Sequence, residues 1–397
     1  MTAPRVEGKS HVPPASDLYQ IDHFLSEEER QVRDRVRTFV QQRVLPIVGK
    51  HFGCEMFPQV LVPELADLGL LGMQIKGYGC TGCSAVCRGL ACQELEAGDS
   101  GLRTFVSVQG SLTMFAIAQF GTEEQKQRWL PLMARGEVIG CFALTEPEAG
   151  SDPGSLSTSA RRDGGSYILN GTKLWITNGG IADLAVVWAR AEDGIRGFLV
   201  ERGTPGFTSR DIQQKLSLRT SVTSKLHFED CRIPIDHMLP AVRGLRGPLS
   251  CLNESRYEVA WGATGAARAC FEVALDYAQT RIQFHKPLAS FQLVQQKLAI
   301  MATELVKAQL LVLHLGRVKE EGLAHPVQVS IAKRTTVREA LKTAREARAL
   351  LGANGITVDY PASRYMNDLE AVSTYEGTDD IHLLIIGQAL TGTATFS

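Results

Sequence analysis

The stretch Ser166-Tyr167-Ile168-Leu169-Asn170-Gly171-Thr172-Lys173-Leu174-Trp175-Ile176-Thr177 lies within a chain whose two ends are helical in pattern. Its β-branched and aromatic residues favour extended backbone, and Asn-Gly between two such runs is a strong hairpin signal. Similar short runs occupy residues 140–144, 184–188, 197–200 and 225–228. The pattern predicts an antiparallel β-domain, a barrel or sandwich, over residues 139–242, with a turn at Asn170-Gly171.

Helical patterns flank this β-domain on both sides. Capping boxes begin helices at Ser26 and Thr122, with apolar residues at helical spacing after Ser26. Beyond residue 256 the pattern predicts four long helices, and Gly262 and Gly265 would allow close helix approach. The predicted fold class is therefore α+β: a flexible tail over residues 1–20, an N-terminal helical domain over 21–138, the β-domain over 139–242 and a C-terminal four-helix bundle over 243–397.

Composition argues against several classes of function. The 397 residues carry a formal net charge of −1, so nothing indicates a nucleic acid or an anionic membrane surface as partner. No apolar run approaches the roughly 20 residues of a membrane span, and residues 1–16 lack the apolar core of a signal peptide. Nine cysteines, an odd number, favour free thiols in a reducing cytoplasm.

Four of the cysteines, Cys80, Cys83, Cys87 and Cys92, are closely spaced. Such spacing could in principle ligate zinc or an iron–sulfur cluster. However, Cys87 and Cys92 fall in a helical pattern over residues 84–97, where small buried thiols are common. We therefore expect packing thiols and no metal.

Glu376, a carboxylate near the C-terminus, stands between Tyr375 and Gly377. Gly377 would let a ligand approach the backbone, and Thr378 can cap the helix that follows. Apolar surroundings disfavour a charged carboxylate and raise its pKa, which suits a general base near neutral pH. The alternative is an ordinary first-turn glutamate stabilised by the helix dipole.

Five segments together resemble the acyl-CoA dehydrogenase family over nearly the whole chain. They stand in family order and at family spacing, and they are Cys141–Asp152, Trp175–Asn178, Arg281–Phe284, Gly352–Gly355 and Tyr375–Thr378. The resemblance implies a helical domain, a β-domain and a four-helix bundle, usually as a homotetramer with one FAD per subunit. Further stretches are most similar to the glutaryl-CoA dehydrogenases of that family: Ile75–Cys80, Asp99–Arg103, Ser107–Gln109, Cys251–Asn253 and Leu369–His382.

The resemblance implies a reaction. Glu376 would remove the α-proton of an acyl-CoA thioester while a hydride leaves the β-carbon for FAD, and the Glu376 backbone N–H would stabilise the developing enolate. With glutaryl-CoA, the distal carboxyl group would then leave as CO2 and crotonyl-CoA would form. Electron-transferring flavoprotein is the implied electron acceptor.

Arg103 is the residue expected to distinguish substrates. A guanidinium among apolar neighbours is costly unless paired, and the distal carboxylate of glutaryl-CoA could pair with it. Glu96 could hold Arg103 in the free enzyme, and the alternative is a buried Arg103–Glu96 pair with no substrate role. By resemblance, the other residues that line the acyl pocket or contact the CoA arm are Thr104, Ser107, Ser151, Leu252, Asn253, Arg256, Tyr375 and Gly377.

The same resemblance assigns two groups of FAD-binding residues. The group at the flavin ring comprises Phe142, Leu144, Thr145, Gly150, Ser151, Trp175, Ile176 and Thr177. The remaining positions, toward the diphosphate and adenine and partly across a subunit interface, are Arg281, Phe284, Gln292, Leu350, Gly352, Ala353 and Thr378. Arginine suits a diphosphate because its guanidinium can donate two parallel hydrogen bonds to phosphate oxygens. His285 and Ala353 stand where the family usually has glycine.

Other functions remain open on the sequence. One is a dehydrogenase for a different short or branched acyl-CoA, or for an acyl-carrier-protein thioester. Another is an acyl-CoA oxidase that passes electrons to oxygen and releases peroxide. A non-catalytic acyl-CoA-binding protein would be expected to lack the base, whereas Glu376 is present. An iron–sulfur carrier built on the clustered cysteines would contain metal.

Overall fold

The computed structural model of the protein describes residues 13–394. Helices occupy both ends of this range and a sheet lies between them, as the fold class predicted. Of the predicted tail, residues 1–12 lie outside the described residues, and Ala15–Asp17 forms a 3₁₀ turn, followed by a second at Ile21–Phe24.

Seven α-helices precede the sheet in the described part of the chain. They are α1 (Glu27–Phe39), α2 (Leu45–Gly53), α3 (Val62–Asp67), α4 (Ala85–Gly98), α5 (Ser100–Ser107), α6 (Phe115–Phe120) and α7 (Glu123–Ala134). Both predicted capping boxes are present, at Ser26 for α1 and at Thr122 for α7. A short hairpin, β1 (Lys76–Gly77) with β2 (Cys80–Thr81), precedes α4, and π-helical turns at Val40–Val44 and Val108–Met114 join α1 to α2 and α5 to α6.

The middle of the chain forms one seven-stranded sheet. Its strands are β3 (Gly140–Ala143), β4 (Ser159–Asp163), β5 (Ser166–Thr177), β6 (Leu184–Ala191), β7 (Gly194–Glu201), β8 (Phe207–Asp211) and β9 (Thr223–Pro234). The order is β3-β6-β4-β5-β9-β8, with β7 also paired to β6. Most pairs are antiparallel, but β6 runs parallel to β3 and to the first residue of β4, so the sheet is mixed where the sequence predicted an antiparallel one.

The predicted turn at Asn170-Gly171 is wrong. Strand β5 continues through both residues, and its register against β9 slips between Leu169 and Gly171. Gly171 has φ +148°, and a Cβ atom there would lie 2.4 Å from the Thr158 hydroxyl oxygen. The glycine therefore serves close packing at a bulge, and the hairpin turn falls instead at residues 164–165, between β4 and β5.

The C-terminal part contains three long helices and two of 13 residues in the described range. They are α8 (Arg246–Thr280), α9 (Gln292–Glu320), α10 (Pro326–Leu350), α11 (Ala362–Thr374) and α12 (Asp379–Thr391), with a hairpin of β10 (Ile282–Gln283) and β11 (Lys286–Pro287) before α9. As predicted, a glycine brings helices close: a Cβ atom on Gly265 would lie 1.9 Å from the Gln93 carbonyl oxygen of α4.

Helix α9 is the one helix among the described residues that is long and apolar enough to cross a membrane. Only 33% of its most apolar window is buried in the structure, although α9 packs on α8 and α10. Leu293 is 74% exposed and Ile300 is 55% exposed. These residues are seven apart and share one helix face, so α9 presents an uncovered apolar surface.

Candidate active site

Glu376 lies in the turn between α11 and α12, and its backbone is left-handed with φ +53°. The next residue, Gly377, has φ +97°, and a Cβ atom there would lie 3.1 Å from His382 Nε2. The predicted cap is present, since Thr378 Oγ1 accepts a hydrogen bond from the Ile381 N–H at 3.2 Å. A left-handed conformation costs a residue other than glycine roughly 1–2 kcal/mol, so the surrounding contacts must hold Glu376 in place.

The Glu376 carboxyl group has one bonded oxygen and one unbonded oxygen. Oε1 accepts a hydrogen bond from Ser255 Oγ at 2.8 Å. Oε2 is shielded from water and has no hydrogen-bond partner among the described residues. Burial raises the pKa of Glu376, against the opposing effects of Arg103, Ser255 and Lys333. A shielded carboxylate that has a raised pKa and one oxygen without a hydrogen bond is equipped to accept a proton.

Arg103 is fully buried and contacts the residue that precedes Glu376. Its Nε donates to Glu96 Oε2 at 2.6 Å, Nη1 donates to Ser107 Oγ at 3.2 Å, and Nη2 donates to the Tyr375 hydroxyl. Thr104 Oγ1 lies 3.5 Å from the same hydroxyl. The structure thus brings together the predicted acyl-pocket residues Glu96, Arg103, Thr104, Ser107 and Tyr375.

The Arg103–Glu96 pair depends on the junction of α4 and α5 and on a glycine in α8. Asp99 accepts a hydrogen bond from the Leu102 N–H and so caps α5, which turns Arg103 back toward Glu96. A Cβ atom on Gly262 would lie 2.0 Å from Glu96 Oε2. Burial alone would lower the pKa of Arg103, but Glu96 and Tyr375 hold it above its usual value, so the guanidinium stays charged.

The first half of α8 supplies a second wall of the site. Arg256 Nε donates to the Glu376 carbonyl oxygen at 2.6 Å, next to the Ser255 bond to the carboxyl group. Leu252 is half-buried, and Asn253 Oδ1 is shielded with no partner among the described residues. In the structure the Arg256 guanidinium bonds the Glu376 loop, and its contact with the CoA arm stays a prediction.

The residues predicted to face a flavin ring lie on β3, on the loop that follows it and at the end of β5. Phe142 and Leu144 are buried, and Gly150 and Ser151 are exposed on the loop that follows. Trp175 is 58% exposed, with φ +61° where the register of β5 slips against β9 between Lys173 and Ile176. The bulge therefore turns a large indole outward. Half-buried Thr177 lies two residues further on, and half-buried Thr145 is brought close because its carbonyl oxygen accepts a hydrogen bond from the Leu174 N–H at 2.9 Å. An exposed aromatic ring beside hydroxyl groups fits a flat, polar-edged ring system.

The second predicted FAD group lies on exposed surface. Arg281 and Gln292 flank the β10–β11 hairpin, and Phe284 at its tip is 83% exposed. Phe284 and His285 have φ +50° and +64°, the turn geometry in which glycine is favoured, which explains why the family usually has glycine at position 285. Gly352 has φ +59°, and the position of its Cβ would be open space, as at Gly150.

These groups are not bonded to one another. Among the described residues, no hydrogen bond or ion pair joins the hairpin group to Leu350, Gly352 or Ala353, and none joins Trp175 to Glu376. The open positions at Gly150 and Gly352 leave room for a bound group.

Lys333, Ser255 and His382 are site residues that sequence reasoning did not single out. Lys333 is only 1% exposed on α10 and bonds the loop of Glu376. A signal was available, because Lys333 shares the buried stripe of α10 with Val329, Thr336 and Ala340. A charged residue on an apolar stripe is rarely buried without a partner.

All nine cysteines are free thiols. Cys87 and Cys92 are buried in α4, as predicted from the helical pattern. Burial raises the pKa of Cys80 and Cys83 to about 11, so both thiols are protonated near neutral pH. No cluster of three His, Cys, Asp or Glu residues suited to a metal ion occurs in the described part of the chain, and the absence of metal stays a prediction.

Three family models match the chain in succession. They are the acyl-CoA dehydrogenase N-terminal domain over residues 26–137, the middle domain over 141–231 and the C-terminal domain over 242–391. The protein therefore belongs to the acyl-CoA dehydrogenase family. It is a flavoprotein oxidoreductase that binds FAD.

Individual relatives cover almost the whole chain. The short-chain specific acyl-CoA dehydrogenase of Rattus norvegicus mitochondria is 36% identical over 370 residues, 91% of this chain and 90% of the relative. A glutaryl-CoA dehydrogenase from Mycobacterium smegmatis in complex with FADH2 is 54% identical, with TM-score 0.95 over 96% of this chain and 99% of that one. A chain in the structure of the electron-transferring flavoprotein of Acidaminococcus fermentans is 34% identical, with TM-score 0.90 over 93% of this chain and 99% of that one.

Proposed function

We propose that the protein oxidises glutaryl-CoA with FAD and decarboxylates the product, giving crotonyl-CoA and CO2. The observation that carries this proposal is the buried Arg103 guanidinium, which bonds the hydroxyl of Tyr375, the neighbour of Glu376. A carboxylate at the far end of a short acyl chain would replace part of the pairing that Glu96 supplies in the free protein. The similarity to the Mycobacterium smegmatis glutaryl-CoA dehydrogenase supports the same substrate.

In this reaction the residues of the chain hold and move one proton. Glu376 Oε2, which is shielded and unbonded, takes the α-proton of the thioester. The residues around Trp175 would hold FAD, which would supply the acceptor for the hydride of the β-carbon. Arg103 holds the distal carboxyl group until it leaves as CO2. Glu376 then returns its proton to the γ-carbon, so the carboxylate is regenerated for the next turnover.

A second candidate substrate is a short acyl-CoA without a distal carboxylate. It is favoured by the completeness of the Arg103 pairing, because Glu96, Ser107 and Tyr375 already bond the guanidinium. The similarity to the short-chain specific enzyme of Rattus norvegicus also supports it. An apolar acyl tail, however, would leave a buried ion pair with no role in binding.

Product analysis separates the two candidates. We expect the holoenzyme, incubated with glutaryl-CoA and an artificial electron acceptor, to release one CO2 per acyl-CoA consumed and to form a four-carbon enoyl-CoA, measured by trapping of labelled CO2 and mass spectrometry. Butyryl-CoA is the control, which can give the enoyl product without CO2. Turnover of butyryl-CoA with no turnover of glutaryl-CoA would reject the glutaryl assignment and favour the second candidate.

The exposed apolar face of α9 supports assembly with further copies of the chain, as a homotetramer. Leu383 and Leu390 of α12 and Phe284 of the hairpin add to the uncovered apolar surface. Patches of this kind mark interfaces, and the family resemblance implies an FAD site that is partly shared across one. A copy of the same chain is therefore the proposed occupant of this face.

Ile300→Asp should disrupt this assembly, because a carboxylate in a dry interface has no partner. We expect the mass measured by light scattering to fall below that of the tetramer, with FAD content reduced in parallel. Val60→Asp is the matched control, since Val60 is 63% exposed on the N-terminal helical part. An unchanged mass for Ile300→Asp would place the interface elsewhere.

Electron-transferring flavoprotein is the proposed electron acceptor, and the structural similarity to a chain from Acidaminococcus fermentans supports it. Peroxide release during turnover would instead indicate an oxidase. The free state of all nine thiols supports the expected reducing, cytoplasmic compartment.

A further inference from the structure

Three consecutive carbonyl groups around Glu376 accept hydrogen bonds from cationic side chains. Lys333 Nζ donates to the Tyr375 carbonyl oxygen at 2.7 Å and to the Gly377 carbonyl oxygen at 2.6 Å. Arg256 Nε donates to the Glu376 carbonyl oxygen between them at 2.6 Å. Lys333 comes from α10 and Arg256 from α8, so two helices of the bundle hold one short loop.

The loop needs such support because Glu376 and Gly377 are both left-handed, with φ +53° and +97°. Hydrogen bonds from charged donors are stronger than neutral ones and offset the cost of this conformation. The loop also follows the C-terminal end of α11, where helix carbonyl groups favour a nearby positive charge. Without Lys333 and Arg256 these three carbonyl groups would be largely buried without these hydrogen bonds. The Glu376 carboxyl group would then lose its fixed direction.

Several charged or titratable groups face the Glu376 carboxyl group or Lys333. They come from α5, α8, α10, the loop and α12, and they are Arg103, Arg256, Lys333, Arg334, Tyr375, Asp379 and His382. Lys333 bonds the backbone on either side of Glu376 and also favours the charged form of its carboxyl group. Burial lowers the pKa of Lys333 to about 7, and Glu376 opposes that shift. Below that pH the ammonium is charged, which stabilises the ionised form of Glu376.

We propose that Lys333 is a positioning residue: with Arg256 it clamps the loop so that Glu376 points at the α-carbon of the thioester, and its positive charge extends the activity of Glu376 to lower pH. This inference rests on the proposed role of Glu376 as the base. It goes beyond that role by assigning the pH range of the reaction to a lysine on a different helix.

The test compares Lys333→Met, which removes the charge and the donor, with Lys333→Gln, which keeps a donor and removes the charge. Flavin reduction by glutaryl-CoA is followed in single turnovers from pH 5 to 9, and binding of crotonyl-CoA is titrated by its effect on the flavin spectrum. Lys342→Met is the matched control, because Lys342 lies on the same helix in an exposed pair with Glu339. If Lys333→Met yields no folded flavoprotein, Lys333→Gln decides.

We expect the acid limb of the pH–rate profile to move up by about one to two pH units in both variants, because loss of a nearby cation raises the pKa of a carboxyl group. The rate at high pH should fall by roughly 10-fold in Lys333→Met and by less in Lys333→Gln. Binding of crotonyl-CoA should change by under about threefold, and Lys342→Met should match the unmodified protein.

An acid limb that stays in place in the deciding variant would overturn the proposal, even if the rate fell equally at every pH. Such a result would leave the role of Glu376 as base intact. Failure of that role would show differently, as rapid flavin reduction in a Glu376→Gln variant.

Discussion

Glu376→Gln is expected to slow flavin reduction by an acyl-CoA by about 10³-fold, because a positioned general base contributes roughly 10² to 10⁴ to the rate. The amide retains the shape of the side chain and the contact with Ser255, but it cannot accept the α-proton. Binding of FAD and of the thioester should persist, since both depend on other groups. Anaerobic mixing with glutaryl-CoA, followed by the loss of visible flavin absorbance, measures the rate directly.

The matched control for this substitution is Glu370→Gln. Glu370 lies on α11, six residues before Glu376, and its side chain is 52% exposed in a pair with Arg345. Surface substitutions of this kind usually change stability by under about 0.5 kcal/mol, so its rate should match that of the unmodified protein. Rapid flavin bleaching in Glu376→Gln would reject Glu376 as the base.

Arg103→Met is expected to lower kcat/KM for glutaryl-CoA by roughly 100-fold or more and that for butyryl-CoA by under about 10-fold. Removing one partner of a buried charge pair, here the arginine that would pair with the glutaryl carboxylate, costs about 2–5 kcal/mol. Each 1.4 kcal/mol changes kcat/KM by a factor of about ten. The butyryl chain has no carboxylate to pair with Arg103. For butyryl-CoA the substitution therefore removes only the ordered packing of the pocket wall. Steady-state rates with both thioesters under one acceptor give the ratio.

A single substitution of Arg103 leaves the Glu96 carboxyl group fully buried without its cationic partner, which would itself destabilise the protein. The double variant Arg103→Met/Glu96→Gln removes both charges and serves as the control for that effect. We expect it to recover thermal stability and butyryl-CoA turnover while glutaryl-CoA turnover stays low. Equal losses on both substrates in the double variant would remove the reason for assigning a dicarboxylic substrate.

Local sequence signals predicted much of the framework of the site. Thr378 caps α12 because its hydroxyl reaches a backbone N–H three residues ahead, and the capping boxes at Ser26 and Thr122 follow the same rule. Glu96 and Arg103 lie seven residues apart across the α4–α5 junction, and they pair as expected. In each of these cases the partners are close in the chain, so spacing alone limits where they can meet.

Partners far apart in the chain were harder to predict. Lys333 bonds the carbonyl groups of residues 42 and 44 positions away, and Arg103 bonds the Tyr375 hydroxyl across 272 positions. Resemblance to a family grouped Arg103 with Tyr375, but no pattern indicated that Lys333 would meet the loop of Glu376. Such contacts depend on how α5, α8 and α10 pack together, and the spacing along one helix contains no information about this.

The sequence by itself determined the order of helices, sheet and helices and the helix caps, because these follow from backbone preferences and apolar spacing over a few positions. Most residues of the site were assigned by resemblance to a family. Only the tertiary structure decided that Asn170-Gly171 continues a strand, since packing of Gly171 on Thr158 outweighs the turn preference of two residues. It also decided the left-handed backbone of Glu376. That conformation is unfavourable locally. It persists because Lys333 bonds the carbonyl groups of the two neighbouring residues and Arg256 bonds the carbonyl group of Glu376 itself.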